Sequence, residues 1–443
     1  MRRLTVVPLR TLLLVALALL LATAASSRAA DAPKGKKAAA ATRAEVIVRA
    51  MRRLDEDCAT GARDMNEQHR VFTLSIASLC FLLDPTGTKG TVHADRLDRA
   101  LAAIGRYVDG AEAGLARKAK AGDDPMASFE WSQTTWSLGA AGVLYAEMIA
   151  RKERRTEAAR RLRTVADLLA RHQQGDGGFG HDQQGRPRIP EIPLPSGRKM
   201  KYPATLLSAS NWACTALGLA RPVAGKALDP VVVKAKAYYA ASATSLGTYP
   251  YDPSQKGLAS DSDVTQAART AGSYVALRAL GVPGRDKALQ RTASFLERKV
   301  ADLPEGHGSA PHGVFFGALA TLQLGGKARA EFEKTVLPRI VEAQDPETGA
   351  LDCICLHEGA TSCESFRNGE NIMLRMGGGG ADRIPWVRAY VTGLNLFALL
   401  AEKGRLRLLD GLPADAAPTT AGETTPSEAP PLPSPEGEGP AVK

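Results

Sequence analysis

Four residues able to bind a metal or form a disulfide lie within one short stretch: Cys353, Cys355, His357 and Cys363. Thiolate and imidazole are the usual zinc ligands, so composition alone allows a metal site. The spacing matches none of the familiar zinc patterns, and an oxidising compartment favours a disulfide such as Cys355–Cys363. We leave that choice open and predict no bound metal or other cofactor. The other three cysteines fall in helical segments, where we expect buried thiols or a disulfide between the first two: Cys58, Cys80 and Cys214.

A second group of residues combines tryptophans with polar side chains at the starts of apolar segments. An aromatic pocket with a few convergent polar groups is typical of a ligand site. The alternative is that the aromatic residues seal the narrow end of a helical ring while the polar groups cap helices. The predicted ligand-binding residues are Glu130, Trp131, Gln133, Trp136, Asn211, Trp212, Arg269, His312, Trp386, Arg388 and Tyr390.

Six segments with helical periodicity become almost entirely small and apolar after a polar or aromatic start. A helix that is apolar on nearly every face must be enclosed by other helices, so we expect an inner layer. These segments span residues 67–83, 131–149, 204–220, 264–281, 308–324 and 386–401.

Amphipathic, charged segments alternate with the apolar ones. They span residues 43–58, 94–118, 155–173, 229–243, 285–301 and 327–344. The order is therefore outer helix then inner helix, six times over, at a spacing too long and too irregular for a standard solenoid. The pattern predicts an all-α fold, an (α/α)6 toroid of six helical hairpins, as one domain over residues 43–411.

Both ends of the chain differ from this domain. Residues 1–30 combine a basic start, an unbroken apolar run over 12–21 and small residues beyond it, as in a signal peptide cleaved after Ala24 or near Ala30. Residues 31–42 read as a flexible lead-in. Residues 412–443 are rich in Pro, Thr and Glu and are predicted to be a disordered tail. We therefore expect an exported protein, periplasmic or extracellular.

The charge balance argues against nucleic acid as a partner. The 443 residues carry a formal charge of +10, but residues 1–30 supply four arginines and no acid, which leaves 53 basic against 47 acidic residues. Such a small excess of basic residues, scattered along the chain, differs from the clustered positive charge of a nucleic-acid-binding protein. After signal removal no stable membrane span is expected. Protein partners and oligomeric state are left open.

The turns after several outer segments share a pattern. Gln173 precedes the run 176–180 (DGGFG), Gln344 precedes 349–351 (GAL), and Ala243 takes the place of glutamine before 247–251 (GTYPY). This pattern resembles the QW-type repeat of the squalene-cyclase and prenyltransferase superfamily, over most of residues 60–405. The resemblance implies an α/α toroid whose central cavity takes isoprenoid substrates.

Two activities of that superfamily can be compared with individual residues. The resemblance to triterpene cyclases makes 261–265 (DSDVT) the counterpart of an Asp-x-Asp-Asp-Thr motif, with Asp263 as the catalytic acid and Asp261 tuning it. Val264 departs from that motif, and the alternative is that Ser262 or Asp263 merely caps the helix that begins at Val264. The zinc site of protein prenyltransferases is incomplete, because Asp352 and Cys353 stand at the wrong spacing and residues 386–401 contain no histidine.

We therefore favour a binding or structural role for the central cavity over catalysis, with an apolar molecule such as an isoprenoid or lipid as the leading candidate and a partner as the other possible occupant. One alternative is a divergent cyclase or isomerase that uses Asp263 as general acid. A second is an (α/α)6 carbohydrate-active enzyme, which uses either two carboxylates or a tyrosine with histidine and arginine. Its candidate residues are Glu130, Glu147, Asp182, Asp261, Asp263, His181, His312 and Tyr390.

Overall fold

The computed structural model describes residues 41–60, 67–84, 92–121, 134–180, 191–193, 199–201, 205–251, 253, 266–305, 310–355 and 384–410. Within these ranges the chain is built almost entirely from α-helices. The outer helices are α1 (Arg43–Thr60), α3 (Val92–Ala121), α5 (Arg155–His172), α7 (Asp229–Ser242), α9 (Lys287–Arg298), α11 (Gly326–Thr335) and α12 (Leu337–Glu342). The inner helices are α2 (Glu67–Leu83), α4 (Thr134–Ala150), α6 (Leu207–Ala224), α8 (Gln266–Ala279), α10 (Ala310–Leu324) and α13 (Ile384–Leu400).

The inner helices form a closed ring. Each one packs against the next in chain order, and α13 packs against α2, which closes the circle. Small residues allow the close contacts: a Cβ added to Gly142 of α4 would lie 2.5 Å from the Cβ of Ala216 on α6. The predicted all-α (α/α)6 toroid is therefore confirmed. No helix among the described residues is both long and apolar enough to cross a membrane.

The chain divides at Val46 into two units of very different size. The first unit is Met1–Glu45, of which residues 41–45 are described. There the Thr42 amide donates to the Glu45 carboxylate at 2.8 Å, and the Glu45 amide donates to the Thr42 hydroxyl at 3.3 Å. This reciprocal pair is a capping box. The ring lies in the second unit, from Val46 onward.

Two details differ from the expected helices. The sixth outer segment, predicted as one helix over 327–344, is broken at Val336 into α11 and α12. Pro338 follows the break, and proline cannot donate the backbone hydrogen bond that a continuous helix needs at that position. The long connection before α6 also contains a two-stranded antiparallel hairpin of β1 (Glu191–Pro193) and β2 (Lys199–Lys201), with Ile192 opposite Met200.

Three turns that follow outer helices share the same backbone hydrogen bonds. The amides of Gln174, Thr244 and Asp345 donate across the turn to the carbonyls of Gly178, Thr248 and Ala350, at 2.9–3.0 Å. The residue after each turn is buried, and its amide donates to a hydroxyl on the following inner helix. Those three bonds join Phe179 to Ser210, Tyr249 to Thr270, and Leu351 to Thr392.

Glycine is required in the first of these turns. Gly177 has a φ of +90°, and a Cβ there would lie 2.2 Å from the carbonyl oxygen of Lys234 in the next outer helix. The turn therefore packs directly against the neighbouring hairpin, which only a residue without a side chain permits.

Glutamine side chains tie neighbouring outer helices together at two of the turns. Nε2 of Gln173 donates to the carbonyls of Gly177 and Val231, and Nε2 of Gln344 donates to those of Gly349 and Val46. Val231 and Val46 both lie in the first turns of the next outer helices, α7 and α1. In the third turn Ala243 cannot make these bonds.

Replacing either Gln173 or Gln344 by Ala should lower the free energy of unfolding by about 1–2 kcal/mol, because one hydrogen bond within the turn and one to the next outer helix are lost. Gln290→Ala is the matched control, since Gln290 is exposed on α9 and should change stability by less than about 0.5 kcal/mol. Urea unfolding followed by circular dichroism measures all three. Equal midpoints for Gln173→Ala and Gln290→Ala would show that these bonds contribute nothing.

Candidate functional site

Aromatic side chains from five of the inner helices meet at the axis of the ring. Phe72 lies 5.1 Å from Trp212, 5.4 Å from His312 and 5.6 Å from Tyr390, measured between ring centroids. Trp136 packs edge-on against His312 at 4.8 Å. We call these five residues the aromatic hub. All five lie in the N-terminal halves of their helices (α2, α4, α6, α10 and α13), so the hub sits toward the end of the ring where those helices begin.

His312 is the hydrogen-bonded centre of the hub. The Trp212 indole donates to Nδ1 of His312 at 2.9 Å, and the Tyr390 hydroxyl contacts Nε2 on the other side of the ring. An indole N–H can only donate, so Nδ1 must carry a lone pair. The proton of the neutral imidazole therefore sits on Nε2, from which it is donated to the Tyr390 oxygen.

The surroundings keep His312 neutral. Burial among aromatic rings lowers the pKa of His312 from 6.5 to about 3. The hydrogen bond from Trp212 also lowers the pKa of His312. If Nδ1 were protonated, it could no longer accept from the indole, and two N–H groups would face each other. At neutral pH His312 is therefore uncharged, and its Nε2–H donates to the Tyr390 hydroxyl oxygen.

Aromatic side chains fill the ring axis behind Trp212. Trp212 is fully buried, with its ring stacked 4.7 Å from that of Phe315, and Phe315 lies 4.3 Å from Phe397. On the other side of the hub, Trp136, His312 and Tyr390 retain accessible surface. These three side chains are therefore only partly buried, whereas Trp212 is fully buried.

Arg388 is held in an ion pair away from the hub's hydrogen bonds. Its Nε and one terminal nitrogen donate to the two oxygens of the fully buried Asp57, at 2.7 and 2.6 Å. Arg53 also contacts that carboxylate, and the bond to Asp57 raises the pKa of Arg388. This bidentate pair joins α13 to α1, so the guanidinium predicted to bind ligand is engaged within the protein.

Asn211 is likewise used inside the helical ring. Its Nδ2 donates to the carbonyl of Arg269 at 3.1 Å, while its Oδ1 accepts from the hydroxyls of Tyr239 and Ser273. The side chain is buried and links α6, α7 and α8. Arg269 is also buried, on α8.

Several predicted residues cannot be placed. Glu130, Trp131, Gln133, Asp261 and Asp263 lie outside the described residues, and the side chain of Trp386 on α13 does too. The catalytic role of Asp263, with Asp261 tuning it, stays a prediction. Replacing Asp263 by Asn tests it, because asparagine caps a helix as well as aspartate but cannot donate a carboxylic proton.

Glu147, one of the carboxylates considered for carbohydrate chemistry, anchors the segment after α13. Its carboxylate is fully buried and accepts from the amides of Arg407 and Leu408, the latter at 2.7 Å, and from Nε of Arg151. These bonds hold the segment 402–410 against the C-terminal end of α4. Glu147 therefore acts as an anchor at the opposite end of α4 from the hub residue Trp136.

The described cysteines are buried thiols. Burial raises the pKa of Cys58 and of Cys214 to about 12, and the Cys80 thiol, whose pKa is also raised, donates to the carbonyl of Gly393. The expected alternative of a Cys58–Cys80 disulfide is therefore not present. His357 and Cys363 lie outside the described residues, within which no three metal-ligating side chains cluster.

Comparison with known proteins supports no assignment to a family. No family profile matches the sequence, and no curated protein matches it. One similar solved structure is a possible member of the GH105 family from Klebsiella pneumoniae, at 11% identity over 90% of this chain and 98% of that chain, with a TM-score of 0.46. The type II terpene cyclase MstE from Scytonema, solved in complex with geranylgeranyl dihydroxybenzoate, is 12% identical over 80% of this chain and 99% of that chain, with a TM-score of 0.39. The toroid is shown by the closed ring of inner helices.

Proposed function

We propose that the protein binds an apolar ligand, isoprenoid- or lipid-like, on the accessible face of the aromatic hub. The observation that carries this proposal is the convergence of five aromatic residues from five helices, three of which keep accessible surface. Aromatic rings offer large apolar area at little conformational cost, and burying that area against a ligand is favourable.

The rigidity of the hub supports the same proposal. Trp136, His312 and Tyr390 are each in ring contact with another hub residue, and the Trp212–His312–Tyr390 hydrogen bonds fix the orientation of two of the rings. A surface that is already ordered pays little entropy on binding. The Tyr390 hydroxyl and His312 give this apolar surface one polar point, which can orient a ligand.

The direct test is native mass spectrometry of the purified protein, followed by organic extraction of any adduct. An isoprenoid or lipid mass is the expected result, and geranylgeraniol added to stripped protein should bind. Trp136→Ala should weaken that binding at least tenfold, because a large part of the accessible aromatic face is removed. Val233→Ala, which removes an apolar group exposed on the outer helix α7, is the control. A bare polypeptide that also fails to bind the probe would refute the proposal.

One observation favours a second candidate, a carbohydrate-active enzyme. The Tyr390–His312 hydrogen bond pairs two groups that such enzymes use for proton transfer. The Arg388–Asp57 ion pair weighs against it, because Arg388 is then not available to neutralise an acidic sugar. Incubation with anionic polysaccharides, with product formation measured by chromatography, decides between the two. Turnover that is lost in Tyr390→Phe would establish the enzyme.

A further inference from the structure

The segment that joins α12 to the ring-closing helix α13 places two thiols side by side. The sulfur atoms of Cys353 and Cys355 are 3.4 Å apart, and both side chains are almost fully buried. The contact between the two sulfurs shows that both side chains point to the same side of the chain. The separation is longer than a disulfide bond, so the two residues are present as neighbouring thiols.

The backbone around these thiols is held on both sides. The Leu351 amide donates to the Thr392 hydroxyl, and the Asp352 carbonyl accepts from Nδ2 of Asn395 at 2.8 Å, both on α13. The carbonyl of Ile354, between the two cysteines, accepts from Arg339 of α12, which also binds Glu305 at 2.8 Å. The approach of the sulfurs is therefore set by fixed backbone.

We propose that Cys353 and Cys355 form a disulfide with each other when the protein folds under oxidising conditions. The reaction needs a disulfide oxidant, either a small molecule or a protein. One cysteine thiolate attacks the oxidant disulfide and releases one thiol, which leaves a mixed disulfide. The second thiolate then attacks the cysteine sulfur of that mixed disulfide and releases the other thiol. Two hydrogens pass from the protein to the oxidant, and one sulfur–sulfur bond is formed for the one that is broken.

Two observations favour this pair over the other cysteines. Cys58, Cys80 and Cys214 lie within the helices α1, α2 and α6, and the Cys80 thiol donates to the carbonyl of Gly393. Cys353 and Cys355 lie outside any helix with their sulfurs already adjacent, so bond formation needs little movement. Burial in the folded state then protects the bond from reductants.

Digestion with a glutamate-specific protease separates the possible pairings. Cleavage after Glu347, Glu358 and Glu364 gives one peptide, 348–358, with both Cys353 and Cys355, and another, 359–364, with Cys363. The protein is refolded in a glutathione redox buffer, alkylated under denaturing conditions and digested without reductant. In the mass spectrum we expect peptide 348–358 to be unlinked to any other peptide, unalkylated, and lighter by two hydrogens than its reduced form. Cys363 in peptide 359–364 should be alkylated.

Three outcomes would overturn the proposal. Peptide 348–358 joined to 359–364 would show a bond to Cys363 instead. Full alkylation of peptide 348–358 would show that both thiols stay reduced. Zinc that stays bound through dialysis and is lost in a Cys353→Ser variant would show a metal site. Cys363→Ser, refolded in parallel, should leave the mass of peptide 348–358 unchanged, which keeps the test valid if the Cys353 or Cys355 variants fold poorly.

Discussion

Replacing Glu147 by Gln should lower the free energy of unfolding by about 3 kcal/mol. The carboxylate is fully buried and accepts from two backbone amides and from Arg151. The amide of a glutamine would turn a donor toward groups that are themselves donors, and the charge that pairs with Arg151 would be lost. The segment 402–410 would then detach from α4 more easily.

Glu153→Gln provides the matched control for this effect. Glu153 lies in the turn directly after α4, is exposed, and should change stability by less than about 0.5 kcal/mol. Urea unfolding gives both values, and hydrogen exchange at the amides of Arg407 and Leu408 reports whether the loss is local. A Glu147→Gln variant as stable as Glu153→Gln, with the two amides still protected, would show that the carboxylate is not the anchor.

The helices could be predicted from the sequence because burial alone sets their pattern. The predicted segments 67–83 and 155–173 correspond to α2 (Glu67–Leu83) and α5 (Arg155–His172) almost residue for residue. An inner helix of this ring has to be apolar on all sides, whereas an outer helix has to be apolar on one face only. Composition and helical period are therefore enough to predict both kinds of helix. The break at Val336 was missed although Pro338 signals it, since the helical period continues across the break.

The site was less predictable, because its contacts join residues far apart in the chain. His312 and Tyr390 are 78 positions apart, and Trp212 is 100 positions from His312. Sequence alone identified these three as residues near the starts of inner helices, but it gave no sign that they bond to one another. Phe72 was not selected at all, although it too lies near the start of an inner helix. Arg388 was selected as a ligand-binding residue because of its charge, and only the structure shows that it forms an ion pair with Asp57.

The second large prediction concerns acid. The pKa of His312 is about 3 in the folded protein and 6.5 when unperturbed. Between these values the unfolded chain binds a proton that the folded protein does not, so stability falls as the pH drops below 6.5. At pH 5 this one histidine lowers the free energy of unfolding by about 2 kcal/mol relative to pH 7. Burial also lowers the pKa of His172 to about 3, so this residue should lower the free energy of unfolding by a similar amount.

The variant His312→Gln separates this contribution from that of the carboxylates, which also respond to acid. A glutamine side chain does not titrate, so the variant should lose about 2 kcal/mol less than the wild type between pH 7 and pH 5, whatever its stability at pH 7. Guanidinium unfolding at the two pH values gives the difference. Equal losses in variant and wild type would mean that His312 takes up a proton in the folded state as well. The indole of Trp212 would then have no acceptor, and the neutral donor behind Tyr390, which gives the proposed ligand surface its polar point, would not exist.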